Sequence, residues 1–291
     1  MKGLSLKTKM AATVSILFLV IFLLGAFFFE REFERHFLKI IEDQQYELVT
    51  DIAKSIDAKL QEAHKALIDT ARIIPTEDME NYLDVQKKVE NIFRNQFFLQ
   101  TFFDNSIVLF SKSGRIISEY PFKPERYGKD FSVREYFQHT IKTQKPYISK
   151  PYSSSRPPYA PALMFTAPIF NKQGELVAVL GGSVSLINEN MLGRLANVRI
   201  GKTGYLYLYS TDRTMIIHPN KNRILKQDVP PGANKLFDAA IKGFEGTGET
   251  VNSMGVHVIA SFKRLNTVDW ILAANYPVKE AFAPIYKNRW Y

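Results

Sequence analysis

Between Met10 and Phe29 the chain reads "MAATVSILFLVIFLLGAFFF", an apolar run with no charged residue. About 20 helical residues rising about 1.5 Å each match the roughly 30 Å hydrocarbon core of a bilayer, so the run predicts a membrane-spanning helix. A cleaved signal peptide has a shorter apolar stretch and a small-residue cleavage site. This run instead ends in three phenylalanines and Glu30, which predicts an uncleaved anchor. Beyond it the pattern becomes amphipathic. Phe37, Ile41, Leu48, Ile52, Ile56, Leu60, Ala63 and Leu67 recur at steps close to the helical period, and residues 30–74 contain no proline. A helix of that length would reach roughly 65 Å. Pro75 should end it, and residues 77–97 read as a second helix folding back.

From Ser106 the apolar positions alternate instead. "SIVLF-SKSG-RIISEY" reads as a hairpin around a Ser-Gly turn, and 160–186 as a longer hairpin turning at Asn171 to Gly174. Between them lie a helix-like stretch, "SVREYFQHTIKT", and a loop, "SKPYSSSRPPYAP". Two hairpins with such an insertion form one antiparallel sheet with a lid over one face, a PAS-like layout. After a short helical pattern, "INENMLGRLANV", the same order returns: the hairpin "GYLYLYS-TDR-TMIIHP", the helix "ANKLFDAAIKG", three strands and a closing polar helix. The fold class is therefore α+β: one transmembrane helix, a long N-terminal helix, and two PAS-like antiparallel-sheet modules in tandem. The expected boundaries are 1–9 cytoplasmic, 10–29 transmembrane, 30–104 stalk and return helix, 105–189 distal module, 190–277 proximal module and 278–291 exit helix.

Charge adds orientation. Lys2, Lys7 and Lys9 precede the span without an acid among them, so the N-terminus should be cytoplasmic and everything after Glu30 periplasmic or extracellular, from an inner membrane. The net charge of +9 is scattered among acids, as in "KSIDAKLQEAHK" (54–65), which reads as solvated surface and not as a nucleic-acid interface. Cysteine is absent, and the five histidines show no paired spacing, so neither a thiolate nor a metal site is expected. Nucleophile-elbow, zinc-protease, phosphate-loop and dinucleotide motifs are also missing, so no catalytic residues and no cofactors are expected.

The order of these parts resembles a double Cache (dCache) extracytoplasmic sensor of a bacterial transmembrane receptor. The resemblance rests on "FSVREYF...KPYISKPY" with "MFTAPIFNKQGELVAVLGGSVSL", and on "IGKTGYLYLYSTDRTMIIHP". It implies a domain that normally continues past a second membrane span into an output domain such as a chemoreceptor, histidine kinase or diguanylate cyclase. Trp290 and Tyr291 are then expected at a membrane interface.

In the amino-acid-sensing branch of that family, an arginine followed by x-aromatic-aromatic on the lid helix holds the ligand's carboxylate. Arg134, Tyr136 and Phe137 match that pattern, and Tyr152 falls near a further pocket tyrosine. A guanidinium presents a planar fork to a carboxylate, and aromatics around it exclude water. Where the branch has an aspartate for an ammonium this sequence has Ser183, and Lys129 stands near a missing tyrosine. The resemblance thus implies a small carboxylate or related anion before an amino acid, with Lys129 and Arg156 as added cations; the turn-rich loop "PYSSSRPPYAP" makes Tyr159 a further pocket candidate, or is a plain connector. The residues alone allow a plainer use of Arg134, a surface ion pair with Asp130 or Glu135. Tyr205, Tyr207 and Tyr209 alternate on one strand face, serving either packing or a second cavity, and His218 reads as structural.

The expected function is a small-molecule sensor passing a signal across the membrane. Its partners would be a ligand, the lipid bilayer through residues 10–29, and a second copy of the chain along the helix stripe. The alternatives are a partner-binding or structural module, or an extracytoplasmic hydrolase whose site has no recognisable motif.

Overall fold

The computed structural model describes residues 6–77 and 82–287. The first helix, α1 (Leu6–Ile73), belongs to two compact units, 1–45 and 46–291. In the first unit the side chains from Ile16 to Leu24 are uniformly solvent-facing and apolar, and this is the one described helix long and apolar enough to cross a membrane. Phe29, Phe33 and Phe37 stack along its continuation.

The second unit closes both sheets onto the remainder of α1. Val49, Ala53, Ile56, Leu60, Ala63, Leu67 and Ala71 are buried there, whereas Leu48 is 43% exposed. The buried stripe therefore runs one residue off the expected one at its start, through Val49 and Ala53. Next come α2 (Tyr82–Asn95), carrying buried Val85, Val89 and Phe93, and α3 (Phe97–Phe102). The expected start of the second helix falls partly on 78–81, outside the described residues.

Strands β1 (Ser106–Ser111) and β2 (Ile116–Tyr120) form the first hairpin. Helix α4 (Glu135–Thr143) follows, then two short strands: β3 (Tyr147–Ile148), just before the stretch that reads in sequence as a loop, and β4 (Tyr152–Ser153), inside it. The long hairpin is β5 (Pro161–Phe170) and β6 (Leu176–Ser185). All pairings are antiparallel, in the order β2-β1-β6-β5-β3 with β4 also on β5. Alternation sorts the side chains: Ile107 and Leu109 join the core built on α1, while Val108 and Phe110 face α4.

The second sheet holds β7 (Arg199–Ile200), β8 (Gly204–Ser210) and β9 (Met215–Ile217). Helix α5 (Lys235–Ile241) precedes β10 (Gly246–Val251), β11 (His257–Arg264) and β12 (Trp270–Pro277). Its order is β10-β11-β12-β8-β7, with β9 also on β8. Five of its strands, β9-β8-β12-β11-β10, repeat the order β2-β1-β6-β5-β3 of the first sheet, so the duplication is one of topology. Leu206 and Leu208 join the α1 core, and Tyr205, Tyr207 and Tyr209 face α5.

Two helical expectations change. Residues 187–198 form bends and a single 3-10 turn at Gly193–Asn197, because polar side chains capture the backbone. Asn190 Oδ1 accepts the N–H groups of Leu192 and Gly193, and Asp104 takes the Asn188 and Asn190 amides. A Cβ on Gly193 would lie 1.8 Å from the Asn188 carbonyl oxygen, so this turn requires glycine. The exit segment divides into α6 (Val278–Ala281) and α7 (Ala283–Lys287), with Pro284 in the first turn of α7, where it has no N–H to donate back. Trp290 and Tyr291 lie outside the described residues.

One polar contact locks α1 to the second sheet. The buried Asp57 carboxylate accepts the N–H of Asn266 at 3.1 and 2.9 Å and that of Thr267 at 2.8 Å, closing the β11–β12 loop. Asp57→Ala leaves those donors unpaired and should cost about 1.5–3 kcal/mol. Its melting temperature in a thermal unfolding scan should fall by about 4–8 °C. An unchanged melting temperature would show that the loop closes without the carboxylate.

Candidate ligand-binding site

The face of the first sheet turned away from α1 is covered by α4 and the segments flanking it. Val108 and Phe110 on β1, Met164 on β5 and Ser183 on β6 form the floor of a cavity. Phe131, Tyr136 and Tyr152 close it from above, and Arg126 and Ser154 to Arg156 from the side. Its volume is only ≈ 10 Å³, about one water molecule. The lid is therefore shut. Phe110 touches Phe131, Tyr136 and Phe137 with ring centroids 5.8, 6.3 and 5.8 Å apart. Thr140 on α4 hydrogen-bonds Thr166 on β5, tying down the far end of the lid.

A buried ionic cluster stands behind the side wall, and of its members only the two arginines line the cavity. Glu119 on β2 accepts two hydrogen bonds from Arg126 Nε, at 3.1 and 2.9 Å. Arg156 Nη1 lies 2.8 Å from the same carboxylate as an ion pair, without the alignment of a hydrogen bond. Arg126 Nη1 also donates to Ser155 Oγ and Arg156 Nη2 to the Pro121 carbonyl. Glu119, Arg126 and Arg156 are 2%, 6% and 6% exposed, so two guanidinium charges face one carboxylate with little water to screen them. The wall carries a net positive charge, and no acidic side chain lines the cavity.

Arg134 sits at the N-cap position of α4, half-buried, with its guanidinium carbon 5.9 Å from the ring centroids of both Phe131 and Tyr152. Those rings line the cavity, so Arg134 stands at its rim. It forms no ion pair among the described residues: Asp130 caps the Ser132 N–H and Glu135 accepts from the Tyr147 hydroxyl. Tyr136 is buried inside the cavity and Phe137 packs beneath it against Phe110. Burial pushes the Tyr136 hydroxyl far above its ordinary pKa. Burial also raises Tyr152, to about 12, against the opposing pull of the Ser183 hydrogen bond and the nearby arginines, so both hydroxyls stay protonated. Ser183 Oγ meets Asn105 Nδ2 at 2.8 Å and the Tyr152 hydroxyl at 3.3 Å.

Six of the eight residues singled out in the sequence thus meet around this lid: Arg134, Tyr136, Phe137, Tyr152, Arg156 and Ser183. Lys129 and Tyr159 do not join them. Tyr159 has φ +62° and a side chain 63% exposed, and Lys129 also faces solvent. Sequence reasoning overlooked Glu119, Arg126 and Asn105. Nothing in the sequence marked Arg126, because an arginine in a turn is ordinarily exposed.

The family profile described as Cache domain, dCache_1, matches residues 30–285. The chain belongs to the double Cache family. This dCache region is a sensor domain. It is 23% identical over 189 residues to the methyl-accepting chemotaxis protein McpA of Pseudomonas putida, covering 62% of this chain and 28% of that protein. The chain therefore spans little more than a quarter of that relative's length. The ligand binding domain of the Pseudomonas aeruginosa PAO1 amino acid chemoreceptor PctB, in complex with L-Arg, superposes with a TM-score of 0.67 at 19% identity, covering 86% of this chain and 92% of that one. The corresponding domain of PctC, in complex with GABA, gives 0.60 at 21% identity, covering 81% and 100%. At these identities the likeness is one of fold.

The ionic wall of this dCache domain should be costly to break and cheap to replace whole. Glu119→Gln leaves two buried guanidinium groups without a counter-charge and is expected to lower stability by about 3–5 kcal/mol in chemical denaturation. The triple replacement Glu119→Leu, Arg126→Met, Arg156→Met should recover most of that loss. A triple variant less stable than Glu119→Gln would mean the cluster contributes net stability as an ionic unit.

Proposed function

We propose that the region after the membrane span is the outward-facing ligand-sensing part of a membrane-anchored receptor. We propose also that it binds a small carboxylate beneath α4. One observation carries this reading: two buried arginines and a third at the rim surround a cavity with no acidic lining residue. A carboxylate entering from the rim would meet Arg134 first and the misaligned Arg156 Nη1 donor within. A charge-assisted hydrogen bond of this kind contributes about 1.5–3 kcal/mol, one to two decades in affinity.

A second reading is favoured by the PctB and PctC complexes, whose ligands are amino acids. In this cavity an ammonium would meet only neutral oxygens, those of Ser183, Tyr152 and Asn105, so we rank the carboxylate first. The route onward is short. The chain leaving α4 passes through β3 to Lys150, whose Nζ lies 3.3 Å from Asp212 Oδ2 at the edge of the second sheet. A cleft of ≈ 550 Å³ separates these segments, leaving room for the two sheets to shift. Burial alone would raise the Asp212 pKa, but hydrogen bonds from Ser210, Thr214 and Lys150 bring it down to about 2, so the ion pair persists across physiological pH. A ligand that prefers one lid position then biases the other module through its differential affinity alone.

Titrating the 291-residue chain in detergent with size-matched pairs, propionate against L-alanine and succinate against L-aspartate, tests the assignment by thermal shift. The carboxylates should stabilise more, and Arg134→Ala should weaken the best binder by about 10- to 150-fold. Equal stabilisation of Arg134→Ala and the parent would remove the pocket assignment. A clear preference for the amino acids would replace the carboxylate reading.

We also propose that two copies pair along α1, where Leu48 and Ile40 stay exposed on an otherwise amphipathic helix. Light scattering of the same sample should give twice the chain mass after correction for detergent. A monomer with and without ligand would exclude it.

A further inference from the structure

The second sheet carries its own closed cavity. It is lined by Tyr205 and Tyr207 on β8, Asn275 on β12, His218 and Arg223 after β9, and Asn252 from the β10–β11 turn, with a volume of ≈ 10 Å³. Its position repeats the first site residue by residue. In the first sheet β1 pairs with β6 at Ser106↔Ser183; in the second β8 pairs with β12 at Tyr205↔Asn275, in the same register. Asn275 therefore stands where Ser183 stands. Both second strands carry a register shift, opposite Leu109/Phe110 and opposite Leu208/Tyr209, which puts His218 where Glu119 lies. Arg126 ends the 3-10 turn Pro124–Arg126, and Arg223 ends the 3-10 turn Lys221–Arg223.

The second cavity is more than a packed copy, because one of its polar atoms lacks a partner and two others face each other as donors. Asn275 is 3% exposed; its Nδ2 donates to the Tyr205 hydroxyl at 3.1 Å, while its Oδ1 has no hydrogen-bond partner at all. His218 Nδ1 accepts the Asn220 N–H at 2.9 Å, which puts the ring proton on Nε2 in the neutral form. Burial and the adjacent Arg223 lower His218 to about 4, so the neutral form dominates. Its Nε2–H then faces Arg223 Nη1, another donor, at 3.2 Å. Asp228 occupies the opposite edge of that guanidinium, at 2.6 and 2.7 Å, and leaves Nη1 available. Two donors converge on one point, with an unused acceptor on the same cavity wall.

We infer that the second module holds a separate ligand site for a small 2-hydroxycarboxylate. One carboxylate oxygen sits between His218 Nε2–H and Arg223 Nη1–H, and the hydroxyl donates to Asn275 Oδ1. The tyrosines form the apolar wall. A neutral amide at Asn275 suits a hydroxyl better than an ammonium, which would need a counter-charge. The cover is the β10–β11 turn. Asn252 Oδ1 holds that turn together by accepting from Met254 and Val256, while the Met254 and Val256 side chains are exposed. With no apolar anchor of its own at the tip, the turn can lift as a unit to admit a ligand. The inference does not rest on the lid site under α4.

The test is calorimetric titration of the 291-residue chain in detergent with glycolate, L-lactate and acetate. Glycolate or L-lactate should bind saturably, and acetate, which has no hydroxyl for Asn275, at least tenfold more weakly. Asn275→Leu should weaken the hydroxy acid at least tenfold and abolish its advantage over acetate. Asn275→Asp, nearly isosteric but charged, should abolish binding while keeping a cooperative melt. Arg134→Ala should silence the lid site proposed above and leave the preference for the hydroxy acid over acetate in place. Absence of saturable heat with all three acids overturns the proposal. So does binding in Arg134→Ala that survives the further change Asn275→Asp, and so does a preference for the hydroxy acid that is lost in Arg134→Ala but kept in Asn275→Leu.

Discussion

Both sheets close against one stripe of α1, and that shared wall is the constraint on which the rest of the unit depends. Val49 to Ala71 sit in a single apolar cluster that also takes in Ile107, Leu109, Phe165 and Leu180 of the first sheet and Leu206, Leu208, Leu272 and Ala274 of the second. A twisted sheet buries one face readily, but a small sheet alone has too little core to be stable. Each sheet therefore spends one face on α1. The other is covered only by a short helix and loops, and both cavities lie on that less firmly covered face. A ligand entering under α4, as proposed, would rearrange the weaker cover while the α1 face stays packed.

Much of this was legible in the chain. The apolar run, the helical stripe and the alternation in "SIVLF" and "YLYLY" each reflect a simple geometric period, and every hairpin formed at its turn signal. What stayed hidden was set by contacts that a period cannot carry. Counting by twos along "RIISEY" puts Glu119 on the same face as Ile117, against α1. The register shift opposite Leu109/Phe110 places Ile117 and Ser118 together on that face and turns Glu119 toward the lid. The same shift hides His218. A bulge changes every side chain beyond it, and nothing in the alternation marks where it falls. The stretch "INENMLGRLANV" misled for a related reason: its apolar spacing suits a helix, but Asn188 and Asn190 have better partners in Asp104.

The two cavities show how one topology can be given two chemistries. In the first module the strand position after the bulge is an acid, Glu119, shared by two arginines, so charge is in excess and hydrogen-bond geometry is imperfect. In the second the same position is a neutral imidazole, and the arginine has its own acid, Asp228, so charge is balanced and the deficit is one of acceptors. A surplus of positive charge attracts any anion that fits. A surplus of aligned donors beside a lone acceptor is more selective, because a ligand without the matching group leaves buried polar atoms unpaired at about 1–3 kcal/mol each. Discrimination is therefore expected to be looser under α4 and tighter over β8.

That difference bears on how the modules can communicate. Lys150 and Asp212 connect the segment leaving α4 with the β8–β9 turn, and the same turn begins the path to His218 and Arg223. Arg213, in that turn, donates to the Val229 carbonyl and pairs with Asp238 on α5 at 2.7 Å, so the turn, the 218–234 segment and α5 are linked by polar contacts. A lid displacement that shifted Lys150 would pull on one end of this chain of contacts, and a ligand seated between His218 and Arg223 would stiffen the other. Because coupling between two sites is reciprocal, any effect of one ligand on the affinity of the other would be returned by the same factor. The α1 wall is a second path for that coupling. The two modules cannot separate without exposing a common core, so a change in one is felt by the other through the buried face of α1 between Val49 and Ala71.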